Sequence, residues 1–415
     1  MKNKLVINTA MLYIMNIAKL VFPFLTLPYL TRVLSVEGYA MVSYVKSVMQ
    51  YMQLLVDFGF LLSATTAIVA ANGDGKKIGA IVSNTILAKL LLCAAAMTVL
   101  SVMTASIDLL RQNVLYVLLS FVTVALSAFL VDYLFRGLEQ MQEITIRFVT
   151  MKGIATALTF LFVRGDADLL WIPVLDILGT VVSLVLVWLR VKKYAITLCM
   201  PRLKTAWAQL IESARYFVSE IATTAFGALN TLLIGIMLPT AQIALWSVAM
   251  QIISAVQAMF SPITNGIYPE MVRSRSLGLL KKVLKIFIPV LILGCVALYF
   301  LADLAVLIVS GEKYLEAAPI LRMLIPVLLF SFPAMVLGWP ALGAVGRVKE
   351  TTATTVISAV FQCAGLGVLI AAGQFAIVTI ALLRCATEFV LLISRLFFCI
   401  RCRGDFNIRQ ENSDG

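Results

Sequence analysis

The chain alternates long apolar runs with short segments that are polar and rich in lysine and arginine. An α-helix needs roughly 20 apolar residues to cross the hydrocarbon layer of a bilayer, and most of the runs are close to that length. The pattern therefore predicts twelve membrane-spanning helices, at residues 6–30, 39–62, 79–102, 114–135, 148–163, 171–189, 216–238, 243–267, 284–309, 320–341, 352–372 and 375–399.

Composition agrees with this pattern. Of the 415 residues, 61% are hydrophobic and 13% charged, and the mean hydropathy is +1.00. A soluble domain of this length does not carry so much apolar sequence. The first run follows Lys2 and Lys4 and continues to about residue 30 without a small-residue cleavage site, so it is predicted to be a helix rather than a cleaved signal peptide. We predict an all-α polytopic membrane protein.

The distribution of basic residues predicts the orientation. The segments that would lie on one side hold 23 lysines and arginines, against five on the other. Because basic segments stay cytoplasmic, both termini are predicted to be cytoplasmic, and the net charge of +12 needs no nucleic-acid partner. The basic segments are the N-terminus, 72–78, 136–152, 190–215, 269–285, 343–350 and the C-terminal tail.

The longest basic segment predicts two similar halves. Residues 191–215 are partly amphipathic, as expected for a cytoplasmic linker at the membrane surface. This predicts a six-helix lobe at 1–190, a second at 216–400, a central cavity, and a disordered cytoplasmic tail at 401–415. The second helix of the second half carries polar residues on one face, as parallel repeats would predict: Ser247, Gln251, Ser254, Ser261 and Asn265. Of these, Gln251 and Asn265 are predicted to line the substrate cavity.

The second helix of the first half carries a longer polar face. Its residues recur at spacings of 4, 3, 4, 3 and 4, which keep them within a narrow arc. A lysine or aspartate at mid-membrane costs roughly 2.5–3.5 kcal/mol, so this face must turn toward protein or water. It is either inter-helix contact or, as we favour, one wall of a hydrated cavity. The residues are Tyr39, Ser43, Lys46, Gln50, Gln53 and Asp57.

Charges deep in other predicted helices add to this picture. Lys19 and Lys89 are too far from their helix ends to reach the membrane surface. Arg395 and Asp176 lie near helix ends, so their side chains are expected to extend to that surface. With Lys46, the lysines favour an anionic headgroup such as a diphosphate. Asp57 is about 16 Å from Lys46 along the axis and is expected to neutralise another lysine in the empty cavity.

Arg384 and Glu388 are spaced to neutralise each other on the last helix. This pair is expected to be structural, with a role in coupling as the alternative. Asp57 is another candidate for ion or proton coupling.

Several kinds of chemistry have no residues to support them. The chain has no histidine, and Cys399 and Cys402 form a single CxxC without the further ligands of a zinc site. NGDGKK at 72–77 lacks the spacing of a phosphate-binding loop. We therefore expect no catalytic residue, no metal and no cofactor.

Four segments carry a family resemblance: LTLPYLTRVLSVEGYA (25–40), LLVDFGFLLSATTAIVA (54–70), DYLFRGLEQMQ (132–142) and GEKYLEAAPILRML (311–324). Through them the chain resembles the Wzx-type polysaccharide flippases of the multidrug/oligosaccharidyl-lipid/polysaccharide exporter superfamily. The resemblance implies alternating-access transfer of undecaprenyl-diphosphate-linked oligosaccharide repeat units to the outer leaflet of the bacterial cytoplasmic membrane, for O-antigen, lipopolysaccharide or capsule assembly. Membrane lipid, a polysaccharide polymerase and other assembly proteins are the further partners expected.

Two other functions stay open at this point. A drug/cation antiporter of the same fold would be expected to have an acidic, aromatic-lined pocket, which the lysine excess argues against. A membrane glycan polymerase or ligase would be an enzyme with a large outer loop, whereas the longest predicted outer loop has only about ten residues.

Overall fold

A computed structural model describes residues 2–194 and 196–406, apart from the helical side chains of residues 2–7, 9, 218–220 and 222–227. Within this description the regular elements are helical, which confirms the all-α prediction. The chain divides into two compact units, Met1–Thr224 and Ala225–Gly415.

The first unit contains nine α-helices and the start of a tenth. They are α1 (Lys2–Val33), α2 (Val36–Asp57), α3 (Phe60–Ala70), α4 (Gly75–Ser106), α5 (Asp108–Gln112), α6 (Val114–Ser127), α7 (Asp132–Gly137), α8 (Met141–Phe162), α9 (Trp171–Val191) and α10 (Leu203–Met237). Asp74 accepts hydrogen bonds from the backbone N–H groups of Lys76 and Lys77 at the start of α4. The bond from Lys77 holds the pKa of Asp74 below its usual range.

The second unit continues from α10 in the same all-helical manner. Its described α-helices are α11 (Thr240–Ala258), α12 (Phe260–Ser274), α13 (Leu277–Phe300), α14 (Ala302–Ser310), α15 (Ala317–Val336), α16 (Val348–Ala371) and α17 (Ile377–Arg401). A π-helical segment, Leu337–Gly343, follows α15 directly.

Eleven segments of the described residues are long and apolar enough to cross a membrane. The predicted seventh span, 216–238, falls on α10, where nine side chains lie outside the described residues. The apolar part that is described there, Ala228–Met237, is shorter than a span. The chain is thus a multi-pass membrane protein, and twelve spans stay a prediction.

The second predicted span of each half is not one helix, which corrects the sequence-based boundaries. Residues 39–62 are divided by Phe58 and Gly59, both in the left-handed region with φ of 39° and 76°. A Cβ at Gly59 would lie 2.7 Å from the Cβ of Tyr216, so glycine is required there. Residues 243–267 are divided at Met259, between α11 and α12, although the backbone angles of Met259 stay in the right-handed region.

The fifth span begins earlier than predicted. α8 starts at Met141, where the predicted span started at 148, and the Asn8 side chain accepts a hydrogen bond from the first backbone N–H. The predicted span had only 16 residues, fewer than the roughly 20 that a bilayer requires. The correction moves Lys152 from a cytoplasmic end to the middle of a 22-residue helix.

The predicted linker lies within the first unit. Ala206 and Leu210 of α10 are buried against Phe60 and Ala88. The assignment of 191–215 as a surface linker stays a prediction, since the boundary between the compact units falls later, inside α10.

The start of the predicted tail also makes contacts. Asp405 accepts a hydrogen bond of 2.7 Å from Nε of Arg347, and Phe406 is buried. Residues 407–415 of that tail lie outside the described residues.

Candidate functional site

A cavity of about 400 Å³ lies among α1, α2, α6, α8 and α9, and is called the N pocket below. Lys46, Gln50 and Gln53 of the α2 polar face line it, together with Lys19 of α1. The structure therefore brings four of the predicted site residues together. Their convergence depends on the spacing of the α2 residues, which directs one face of that helix to the same cavity.

Two charged residues of the N pocket were missed by sequence reasoning. Lys152 of α8 and Asp176 of α9 line the cavity and form an ion pair, with Nζ and Oδ1 3.0 Å apart. Lys152 was counted as cytoplasmic because the start of its helix was placed too late. Asp176 had been explained by proximity to the outer end of its helix. The predicted fifth span was too short to cross a bilayer. That shortness could have indicated that the helix begins earlier and contains Lys152 in its middle.

The N pocket carries an excess of positive charge. Its lining contains three lysines and one aspartate, so its formal charge is +2. Lys46 is exposed to the cavity, and Lys19 lies over the ring of Phe148 at 5.7 Å. Most of the remaining lining is apolar, including Phe22 and Tyr116. An apolar wall with a few placed charges is typical of a ligand site.

Asp57 and Lys89 lie outside the lining of the N pocket. Lys89 is 5% exposed, and its Nζ lies 2.8 Å from Oδ1 of Asp57. This pair neutralises Lys89, so its charge does not add to that of the pocket. Gln53 connects the two places, because it lines the pocket and donates from Nε2 to Oδ2 of Asp57 at 2.7 Å. It also exchanges hydrogen bonds with Ser127.

A second cavity, of about 490 Å³, lies in the second unit and is called the C pocket. Asn265, a predicted site residue, lines it. Gln251 is half-buried on α11 and is not among the described residues that line either pocket. The residues that line the C pocket are Ser261, Thr264, Asn265, Tyr268, Met335, Trp339, Pro340 and Arg395.

Arg395 does not extend to the membrane surface, which corrects the sequence-based explanation of its charge. Its side chain is buried, and Nη1 donates to the carbonyl oxygen of Ala334 at 2.7 Å. The hydroxyls of Thr354 and Thr355 accept from Nε and Nη2. Arg395 therefore stabilises the polar backbone at the end of α15.

Arg384 and Glu388 form a buried ion pair on α17, with Nη2 and Oε1 2.7 Å apart. Between them in sequence, the hydroxyl of Thr387 donates to Gln362, whose Nε2 donates to Asn230. The spacing of the pair correctly indicated that the two side chains can meet. Its role in structure or in coupling stays a prediction.

Comparison with known proteins shows where this architecture occurs. An inward-facing transporter of the MATE family, in the MOP superfamily, matches with a TM-score of 0.69 at 14% identity, over 94% of this chain and 95% of that one. The lipid II flippase MurJ, in an inward closed conformation, matches with a TM-score of 0.66 at 14% identity, over 95% and 87%. The chain is thus a multi-pass membrane protein with the fold of these proteins.

Sequence relatives identify the family. A protein of Shigella dysenteriae described as "Putative O-antigen transporter" is 29% identical over 74% of this chain and 78% of its own. One with the same description from Escherichia coli K12 is 25% identical over 78% and 80%. The chain belongs to the polysaccharide biosynthesis protein family, whose model matches residues 5–275. The resemblance to Wzx-type flippases is confirmed.

Proposed function

We propose that this protein moves undecaprenyl-diphosphate-linked oligosaccharide repeat units from the inner to the outer leaflet of the bacterial cytoplasmic membrane. The family and the description of the two bacterial relatives support an O-antigen-type glycan as the cargo. The protein performs no chemistry on that glycan in this proposal. Its partners are the lipid-linked oligosaccharide, membrane lipid and the polymerase that uses the delivered units.

The positive charge of the N pocket is the observation that carries the proposal. A formal charge of +2 around one cavity inside a membrane protein is unfavourable unless an anion or water compensates it. A diphosphate offers two charged groups with several acceptor oxygens, and lysine binds phosphate as a point charge. Lys46 and Lys19 are the direct contacts in this proposal. Lys152 also contacts the diphosphate once it releases Asp176 or shares its charge between Asp176 and the diphosphate.

Alternating access is the proposed mechanism of transfer. A diphosphate and its sugars are strongly hydrated and do not cross the hydrocarbon layer unaided. A pocket that is opened to one side and then to the other provides a polar path while the lipid tail stays in the bilayer. Gln50 and Gln53 supply amides for hydrogen bonds to sugar hydroxyls next to the diphosphate.

The Asp57–Lys89 pair is the proposed sensor of occupancy. Gln53 contacts both the pocket and Asp57, so a ligand that takes the Gln53 amide alters the environment of the pair. Asp57, Arg384 and Glu388 are the acidic and basic groups proposed for coupling to ions or protons. Both termini are proposed to be cytoplasmic, from the distribution of basic residues.

A drug/cation antiporter is less well supported by the same site. The acid in the N pocket, Asp176, is already paired with Lys152, and the formal charge of the cavity is positive. An organic cation would be repelled by such a lining. The pocket charge therefore favours an anionic cargo.

Complementation tests the proposal. In a flippase-deficient strain whose glycan export the wild-type chain restores, Lys46→Ala should abolish export at normal membrane levels. Lys46→Arg should retain part of it, because arginine keeps the charge and changes its shape. Lys77→Ala is the matched control, since Lys77 is exposed at the start of α4 and lies outside the pocket. Full export by the triple Lys19→Ala/Lys46→Ala/Lys152→Ala variant would contradict the proposal.

A further inference from the structure

The C pocket has features that the diphosphate proposal does not use. Its lining contains two aromatic rings, an amide, two hydroxyl side chains and a guanidinium group. Arg395 is the one cation among these lining residues, against three in the N pocket. This composition is less suited to a diphosphate than to a neutral ligand with many hydroxyl groups.

The π-helical segment places Trp339 in this cavity. The backbone of Gly338, with ψ of −112°, departs from helical geometry, and Pro340 supplies no backbone donor. Trp339 is 55% exposed, while Leu337 and Ala341, two residues away in each direction, are buried. A π-helical interruption of this kind is frequently found at functional sites.

The ring of Trp339 is also held in position. A Cβ at Gly343 would lie 2.8 Å from Cε3 of Trp339, so the ring lies directly against the backbone there. Because the backbone already supports one side of the indole ring, the ring loses little conformational freedom when a ligand covers its other side. Rigid aromatic surfaces bind at a low entropic cost.

Polar residues of α12 line the same cavity as the ring. Ser261, Thr264, Asn265 and Tyr268 follow one face of α12, at spacings of 3, 1 and 3 residues. Asn265 and Tyr268 are exposed, and each can donate and accept hydrogen bonds. Arg395 has five N–H donors, and the bonds described above use three acceptors. Donor capacity therefore remains for a ligand that reaches the pocket.

We propose that the C pocket binds a sugar ring of the transported glycan, with the ring stacked on Trp339 and its hydroxyls on Asn265, Tyr268 and Arg395. The C–H groups on one face of a pyranose are weakly positive, and they complement the negative face of an aromatic ring. The hydroxyl groups at its edge match an amide and a guanidinium. The cavity volume of about 490 Å³ lies within the ~300–1,000 Å³ of small-molecule sites.

This inference rests on the proposed function and deepens it, because it assigns a second contact to the same cargo. In this scheme the N pocket binds the charged diphosphate and the C pocket recognises the glycan. Selectivity among glycans would then depend on α12 and the π-helical segment, whereas the lysines bind a group common to all such cargoes.

The test uses the purified full-length chain in nanodiscs of unglycosylated phospholipid, so that no sugar detergent competes. The probe is the repeat-unit oligosaccharide released by mild acid from the lipid-linked intermediate of the strain in which the chain restores export. Trp339→Ala should weaken binding of this probe about tenfold or more, and Trp339→Phe less. Asn265→Ala should also weaken it while preserving the helix interruption.

Two controls distinguish the subsite from the function as a whole. Trp207→Ala removes a similarly exposed tryptophan, 61% exposed on α10, and should leave oligosaccharide binding unchanged. Inorganic pyrophosphate is the second probe, and its affinity should fall with Lys46→Ala but not with Trp339→Ala. If the wild-type protein does not bind pyrophosphate, that result would contradict the proposed function but not the sugar subsite.

The outcome that overturns the subsite is clear. If folded Trp339→Ala and Asn265→Ala proteins bind the oligosaccharide as tightly as wild type, the C pocket does not recognise sugar. A wild-type protein that does not bind the oligosaccharide would reject the proposal equally.

Discussion

Single residues of this protein are best understood through their partners across helices. The spacing of residues in α2 predicted that Lys46, Gln50 and Gln53 share a face, and the structure places all three in one pocket. That result needs only helical geometry. The partners of Lys89 and Lys152 could not be predicted in the same way, because Asp57 and Asp176 lie on neighbouring helices. Such pairs depend on how the helices pack.

The Asp57–Lys89 pair gives a prediction at this scale. Asp57→Asn leaves the buried Lys89 without its counter-charge and should destabilise the protein. The cost should lie between the ~1 kcal/mol of an exposed pair and the ~3–5 kcal/mol of a fully buried one, because the Asp57 side chain is 41% exposed. The measurement is thermal unfolding of the purified protein in lipid.

The double variant provides the control for that prediction. Asp57→Asn/Lys89→Met removes both charges and should recover most of the lost stability. If the double variant is as unstable as Asp57→Asn alone, the charge of Lys89 is not what Asp57 compensates.

Helices are the next scale, and here sequence reasoning was least accurate at interruptions. Hydropathy identified the apolar runs well because burial in lipid requires them. It did not show that α2 and α3 are separate, that α11 ends at Ala258, or that a π-helical segment follows α15. The first of these features arises from close backbone contacts at Gly59 and the third from the geometry of Gly338, and a window average over about 20 residues does not detect either.

Gly179 gives the prediction for this scale, because it allows α8 and α9 to approach each other next to the N pocket. A Cβ at Gly179 would lie 2.5 Å from the backbone oxygen of Met151, the residue before Lys152. Gly179→Ala must therefore separate the two helices, at a cost of about 1–3 kcal/mol. The midpoint of thermal unfolding should fall, and glycan export with it.

Gly367 is the matched control for this substitution. It lies inside α16 with no atom within 4 Å of the added Cβ, so Gly367→Ala should leave stability unchanged or raise it slightly. Equal destabilisation by the two variants would mean that lost glycine flexibility, and not helix contact, explains the effect.

At the scale of the whole molecule, the family and the multi-pass helical architecture were predictable from sequence. The four resembling segments and the apolar pattern pointed to them independently, and the family match and fold comparison agree. The composition of the two pockets was not predictable, since it required Lys152, Trp339 and Arg395 to be placed in three dimensions. Twelve spans and cytoplasmic termini stay predictions from hydropathy and charge.

The central claim is that the N pocket transfers a lipid-linked diphosphate across the bilayer. Its most direct test is flipping by the purified protein in proteoliposomes, with lipid-linked oligosaccharide in both leaflets and a membrane-impermeant glycan-modifying enzyme outside. Wild-type protein should make nearly all of the lipid-linked oligosaccharide accessible, and Lys46→Arg should do so more slowly. Lys46→Ala should leave only the outer-leaflet fraction accessible, as in protein-free liposomes. Equal rates for wild type and Lys46→Ala would contradict the account.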